Sequence, residues 1–283
     1  MRLEVKIKNL ELKNPIICAS GTLGYAQEVS GFLDINKLGG VVTKTITLNP
    51  RSGNPHPRIY DLGWGVVNSV GLENPGLKAF KERYGQFLSS LKTKVFVSVY
   101  AYNIREWQAV VENLQEKYIS GIELNLSCPN IKKEILAYHP SRVFKLISKL
   151  RKLTKKTLIA KLSYCPQILD VALSAQDAGI DALTLINTLP AMVCDFKRCT
   201  PILGNIFGGL SGPCIKPLAL KCVYEVSHKV KIPVIGCGGI ISYKDVLEFL
   251  CCGAEAVQVG TAVLKDFRTP LKILEDLERY AKM

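Results

Sequence analysis

Eight short apolar runs recur along this chain, and most are followed by a longer stretch with helical spacing of its apolar residues. The runs centre on 15–18, 40–43, 95–99, 122–125, 158–161, 182–186, 233–235 and 256–259. Helical stretches are expected at 104–117, 141–153, 166–178, 215–230, 243–252 and 270–281. Fully apolar strands alternating with amphipathic helices must bury both sheet faces, which gives a parallel sheet covered by helices. Eight such units, with no Pro/Gly/Ser-rich linker between halves, predict an α/β protein made of a single (β/α)8 TIM barrel over residues 1–283. At 283 residues the length suits a barrel, which typically takes about 250. The start, MRLEVKIKNLELKN, alternates apolar and charged residues and predicts an N-terminal β-hairpin rather than a signal peptide. A doubly wound sheet is the runner-up, but its early GxGxxG turn is absent.

A barrel places its chemistry at the C-terminal ends of its strands. Those ends read Ala19-Ser20-Gly21-Thr22, Lys44-Thr45, Ser98, Asn125 to Asn130, Lys161, Asn187-Thr188, Gly236 to Gly239 and Gly260-Thr261. All eight finish in small, polar or cationic residues, which a purely structural barrel has no reason to do. The richest is Asn125-Leu126-Ser127-Cys128-Pro129-Asn130. Its asparagines each offer a donor and an acceptor, the complement of a planar imide or amide. Cys128 is a thiol set among polar groups at a strand end, and Pro129 turns the chain out of the strand. The bland alternative is a buried cysteine between two turn-forming asparagines.

Glycines cluster at Gly208-Gly209 with Gly212, at Gly238-Gly239 and at Gly260. After the seventh and eighth strands, where barrels commonly bind phosphate, they let backbone N–H groups approach an anion. Lys44 and Lys161 end apolar strands. With Glu123 as the main carboxylate nearby, they are expected to serve an anionic ligand or an electron-rich ring. A cysteine, two lysines, several asparagines and a phosphate cradle suggest proton abstraction beside a carbonyl, with a cofactor taking electrons.

Composition removes other classes. No run of 18 apolar residues spans a membrane. Ten cysteines without an export signal point to a reducing, cytoplasmic setting. Neither they nor the three scattered histidines have metal-ligand spacing, so no metal is expected. The net charge of +13 raises nucleic acid, but its densest part, KLISKLRKLTKK, has the spacing of a solvated helix face, so no nucleic-acid partner is expected.

The segments NPIICASGTLGYAQE, VVTKTITLNPRSGNPHPRIY, VNSVGLENPG, NLSCPN, GNIFGGLSGPCIKPLAL, PVIGCGGI and AVQVGTA, in that order, resemble the class 1 dihydroorotate dehydrogenases of pyrimidine biosynthesis. The resemblance implies one FMN per chain, held by Ser20, Lys44, Thr45, Ser98, Asn125, Lys161, Ile186, Gly212, Gly238, Gly239, Gly260 and Thr261. It implies that dihydroorotate and orotate are bound by Lys44, Asn68, Ser69, Val70, Gly71, Leu72, Asn125, Asn130, Asn187 and Thr188. Cys128 would be the base that takes the C5 proton while a hydride leaves C6 for the flavin.

The wording SGPCIKPLAL and VGTA is most like the catalytic subunit of the NAD-linked subclass, 1B. That implies an electron-transfer partner carrying FAD and a 2Fe–2S cluster, in a heterotetramer built on a homodimer of this chain. The alternatives are the fumarate-linked subclass 1A and, more remotely, another FMN barrel such as tRNA dihydrouridine synthase. Three positions depart from the family. Ser98 replaces an asparagine, Ile131-Lys132-Lys133-Glu134 replaces a glycine-rich loop, and Val67-Asn68-Ser69-Val70 varies the usual substrate-asparagine wording.

Overall fold

The computed structural model describes residues 2–126 and 138–283. Eight parallel strands close into a barrel: β1 (Ile16–Cys18), β2 (Gly40–Val42), β3 (Lys94–Val99), β4 (Ile119–Asn125), β5 (Thr157–Leu162), β6 (Ala182–Leu185), β7 (Val234–Cys237) and β8 (Ala256–Val259). Each pairs with its sequence neighbours, and β8 closes on β1 through Val257↔Ile16 and Val259↔Cys18. The eight expected runs thus become the eight barrel strands, with ends shifted by up to three residues.

Helices α1 (Gly76–Ser90), α2 (Ile104–Glu112), α3 (Pro140–Arg151), α4 (Ile168–Asp177), α5 (Lys216–Ser227), α6 (Tyr243–Cys251), α7 (Thr261–Lys265) and α8 (Thr269–Lys282) accompany the strands. Helix α1 was not among the expected ones, although Leu77, Phe80 and Leu88 fall on its buried face at helical spacing. Helix α2 stops at Glu112, five residues early, where Asn113 turns its side chain back onto the Ala109 carbonyl. Only short 3₁₀ turns, Gln27–Val29 and Ile35–Lys37, follow β1.

Alternating residues point into the barrel, and they form two layers of opposite character. The lower layer is apolar: Ile17, Val42, Phe96, Ile159, Ala182, Ile235 and Ala256 form one buried cluster with Ile7 and Leu12. Those last two belong to the N-terminal hairpin, Val5–Ile7 paired with Leu10–Leu12, which plugs the barrel floor. Phe96 fits only because two neighbours lack side chains. A Cβ on Gly40 would lie 2.9 Å from its ring, and one on Gly121 would lie 3.0 Å away. One step up five of the strands the layer turns polar: Ser98, Glu123, Lys161, Thr184 and Gln258 are all buried. A change from apolar to polar across one strand repeat marks the boundary between core and site.

The loops above the barrel add a second, four-stranded antiparallel sheet in the order Leu189–Met192, Phe207–Ser211, Val66–Asn68, Ile59–Asp61. It joins the insertion after β2 to the insertion after β6, and its register sets Asn68 opposite Gly209. Gly208-Gly209 therefore serve a strand pairing, separate from the late glycine turns.

Behind the Gly238-Gly239 turn, α6 starts with a capping box: Ser242 Oγ accepts from the Asp245 N–H, and Asp245 Oδ2 accepts from the Ser242 N–H at 2.8 Å. Lys216 at the start of α5 donates to Asp245 Oδ1 at 2.6 Å. Burial would raise the Asp245 carboxyl, but these hydrogen bonds outweigh it and hold the group below its ordinary value. A depressed folded value means that the charge stabilises the fold above the unfolded range, near pH 3.9, and that this is lost as pH falls through the lower folded value. Asp245→Asn is expected to cost about 1 kcal/mol at neutral pH, with the gap closing in acid. Urea midpoints at pH 7 and pH 3 check this, and an equal cost at both would exclude the charge as its source.

Candidate active site

The C-terminal mouth of the barrel opens into a cavity of about 1270 Å³, measured out to its open rim. Strand ends line its floor and the second sheet forms part of its wall.

One side of the floor is a hydrogen-bonded polar row. Ser20 Oγ donates to the Thr43 carbonyl at 2.8 Å and lies 3.3 Å from Thr45 Oγ1. Thr45 Oγ1 in turn meets Ser98 Oγ at 2.8 Å and accepts from Asn125 Nδ2 at 3.4 Å. Asn187 Nδ2 donates to Asn125 Oδ1 at 3.3 Å, and Asn187 Oδ1 accepts from the Thr188 N–H. The loops after β2 and β6 and the ends of β3 and β4 thus fix one another's side chains before any ligand arrives.

The opposite side is backbone. Gly238 and Gly239 have φ of 136° and 75°, conformations that a side chain resists. A Cβ on Gly239 would also sit 2.7 Å from Lys216 Cβ. Among the described residues, no protein acceptor takes the N–H of Gly238, Gly239, Gly260 or Thr261. Four cavity-lining amides without a protein acceptor are what a phosphate would satisfy. This cradle, beside a polar row and a lysine, fits a phosphorylated flavin.

Of the residues assigned to FMN, Ser20, Lys44, Thr45, Asn125, Lys161, Ile186, Gly212, Gly238, Gly239, Gly260 and Thr261 line the cavity. Ser98 lies beneath it, fully buried, reaching the site only through Thr45. Of the substrate residues, Asn68, Val70, Gly71, Leu72, Asn187 and Thr188 line it as well, together with the shared Lys44 and Asn125. Ser69 is not among the lining residues; its Oγ accepts from Asn54 Nδ2 at 2.9 Å, tying the 68–72 loop to the 51–58 loop. Cys128 and Asn130 lie outside the described residues.

Both site lysines have carboxylate partners, contrary to the expectation from the strand ends. Lys44 Nζ lies 3.3 Å from Glu73 Oε2, which Arg58 approaches to 3.2 Å. The charge of Lys44, followed by its hydrogen bond, holds the Glu73 carboxyl below its usual range despite some burial. Lys161 Nζ lies 3.8 Å from Glu123 Oε1 and donates to Gln258 Oε1 at 2.9 Å. Glu73 escaped the reading because it sits in the loop after β2, far from any strand end in sequence. Ile59, on the second sheet, and Leu264, in α7, also line the cavity, and as single apolar residues they carried no signal.

A family model described as dihydroorotate dehydrogenase matches residues 2–280. The chain is 46% identical over 282 residues to the dihydroorotate dehydrogenase B (NAD(+)), catalytic subunit, of Thermodesulfovibrio yellowstonii, covering 98% of this chain and 91% of that one. It is 42% identical over 285 residues to the protein of the same name from Thermoanaerobacter pseudethanolicus, covering 99% and 94%. The Petrotoga mobilis protein of that name is 44% identical over 280 residues, covering 98% and 93%. A match along nearly the whole chain, over a barrel whose mouth carries a phosphate cradle and a row of asparagines, is decisive: this chain belongs to the dihydroorotate dehydrogenase family.

Proposed function

We propose that this chain is one FMN-binding barrel domain that oxidises dihydroorotate to orotate in pyrimidine biosynthesis and works as the catalytic subunit of an NAD-linked enzyme. The observation that carries the reading is the convergence of two ligand sets on one cavity. Gly238, Gly239, Gly260 and Thr261 would hold the phosphate of FMN. Ser20, Thr45, Asn125 and Lys161 would face its ring system. Asn68, Asn125, Asn187 and Thr188 would pair with the imide and carboxylate of the substrate, joined by Asn130. Lys44 would touch both molecules. Bound FMN would supply the electron acceptor for the hydride leaving C6.

The chain's own task is then to hold the pyrimidine flat, exclude water and remove the C5 proton. Cys128 is the proposed base, because it follows the Asn125 strand end directly in NLSCPN. The relatives' names supply the NAD linkage and the partner: they are catalytic subunits of an NAD(+) enzyme. We assign FAD and a 2Fe–2S cluster to that partner, in a heterotetramer built on a homodimer of this chain. No disulfide joins the described cysteines, and we assign the chain to the cytoplasm. No described helix is long and apolar enough to cross a membrane.

The test is direct. The purified chain is expected to be yellow and to release one FMN on denaturation, and orotate is expected to perturb the flavin spectrum. A colourless protein that takes up no FMN on reconstitution sinks the cofactor reading. With NAD as sole acceptor the isolated chain is expected to turn over slowly, since no dinucleotide fingerprint is present. Adding the FAD-bearing subunit should restore NAD reduction.

A further inference from the structure

Glu123 projects inward from β4 and is fully buried. Its Oε2 accepts from Thr184 Oγ1 at 3.1 Å and from the amide of Gln258. Its Oε1 meets no hydrogen-bond donor among the described residues, but Lys161 Nζ stands 3.8 Å away. Gln258 bridges the two charges, its N–H on the carboxylate and its carbonyl on the ammonium. Of these four residues only Lys161 lines the cavity.

As a stability device this arrangement is poor. Withdrawing a carboxylate and an ammonium from water costs several kcal/mol per ion, repaid only where geometry is excellent. Here the two groups stand 3.8 Å apart, and among the described residues one carboxylate oxygen meets no donor. A neutral pair of similar volume would serve the fold as well or better. What the carboxylate does supply is a reason for the lysine to remain an ammonium in a buried layer, with the Gln258 carbonyl fixing where its nitrogen sits.

We propose that Glu123 is a positioning residue that, through Gln258, keeps Lys161 charged and aimed at the cofactor cavity. The part of this concerning the flavin rests on the reading of Lys161 as facing FMN. An ammonium there favours the negative charge that a flavin ring gathers on reduction. The Gln258 side chain bridges the ammonium and the opposing carboxylate, which does not itself line the cavity. Among the described residues, the titratable groups that act on Lys161 are Glu123 from β4 and Cys237 from β7, and Lys44 lines the same cavity. Thr184 and Gln258 do not titrate. Burial pushes Lys161 toward its neutral form, and Glu123, then Cys237, hold it above its ordinary value.

Two measurements on Glu123→Gln test this. The first uses flavin-free protein: trace acetic anhydride labelling of Lys161 across pH, read by peptide mass spectrometry. In the parent, Lys161 is expected to resist labelling until strongly alkaline pH. In E123Q the midpoint should fall by about one unit or more, roughly a tenfold gain in reactivity at a fixed pH. The second follows the midpoint potential of bound flavin against pH. E123Q should gain a proton-linked step that both the parent and Lys161→Met lack.

If E123Q does not fold, the double variant E123Q/K161M, which buries no charge in this layer, should fold and so identify the uncompensated lysine as the fault. Unchanged labelling of Lys161 in E123Q, or failure of both the single and the double variant to fold, overturns the proposal. A parent that binds no FMN would defeat the cofactor reading alone, because the labelling experiment still decides the role of the carboxylate.

Discussion

Replacing Cys128 by alanine is expected to slow flavin reduction by dihydroorotate by roughly 10²–10⁴, the usual worth of a positioned general base, with FMN and orotate still bound. A free thiol titrates near pH 8.5, close enough to neutrality for the thiolate to form in mildly alkaline conditions. The described cysteines offer poor substitutes. Burial pushes Cys18 up to about 12 and Cys222 up to about 11. Cys237 lines the cavity and is therefore the one rival, yet burial raises its thiol too, outweighing the nearby charge of Lys161. Cys128→Ser should fall between parent and alanine variant, with its optimum moved to higher pH because a hydroxyl gives up its proton far less readily. Single-turnover bleaching of the flavin absorbance against pH, in the absence of oxygen, separates the three proteins. If C128A bleaches at the parental rate while Cys237→Ala is slow, the base is Cys237.

Removing the charge of Lys44 should have the next largest effect. A hydrogen bond to a charged group contributes about 1.5–3 kcal/mol, so Lys44→Ala is expected to weaken orotate binding by roughly 10–100-fold and to slow flavin reduction. Part of that loss comes from what is left behind. Glu73, 3.3 Å from the ammonium in the parent, becomes a carboxylate near an anionic substrate, balanced among the described residues by Arg58 alone. The double variant Lys44→Ala/Glu73→Gln should recover some of the affinity, a coupling that independent sites would not show. Titrating orotate against the flavin spectrum of the parent, both single variants and the double provides the cycle. Orotate affinity unchanged in K44A would remove Lys44 from the substrate site.

The sequence by itself determined the barrel and the placement of most of the cavity. Short apolar runs alternating with amphipathic ones admit few folds, and a parallel barrel brings every strand's C-terminal end to one mouth. Naming strand ends therefore named cavity residues: Ser20, Lys44, Asn125, Lys161, Gly238 and Gly260 come from six different strand ends and line one space. The hairpin was legible for the same local reason, a two-residue alternation. Helix α1 was readable too, since Leu77, Phe80, Tyr84 and Leu88 carry its period. It went unread because the strand rhythm did not require a helix there.

Only the tertiary structure decided which polar groups meet. Lys161 and Gln258 are 97 residues apart and Thr184 and Glu123 are 61 apart, so no spacing rule connects them. They become neighbours because each occupies the same inward layer of its own strand, and layer membership depends on the stagger of the closed barrel. The second, four-stranded sheet is of the same kind. Its strands come from insertions after β2 and after β6, and the pairing of Asn68 with Gly209 spans 141 residues. Local periodicity specifies which face a residue presents, while the closure of the barrel specifies what that face meets. That is why the strand-end lysines were legible as site residues, whereas their pairing with Glu123 and Glu73 was not.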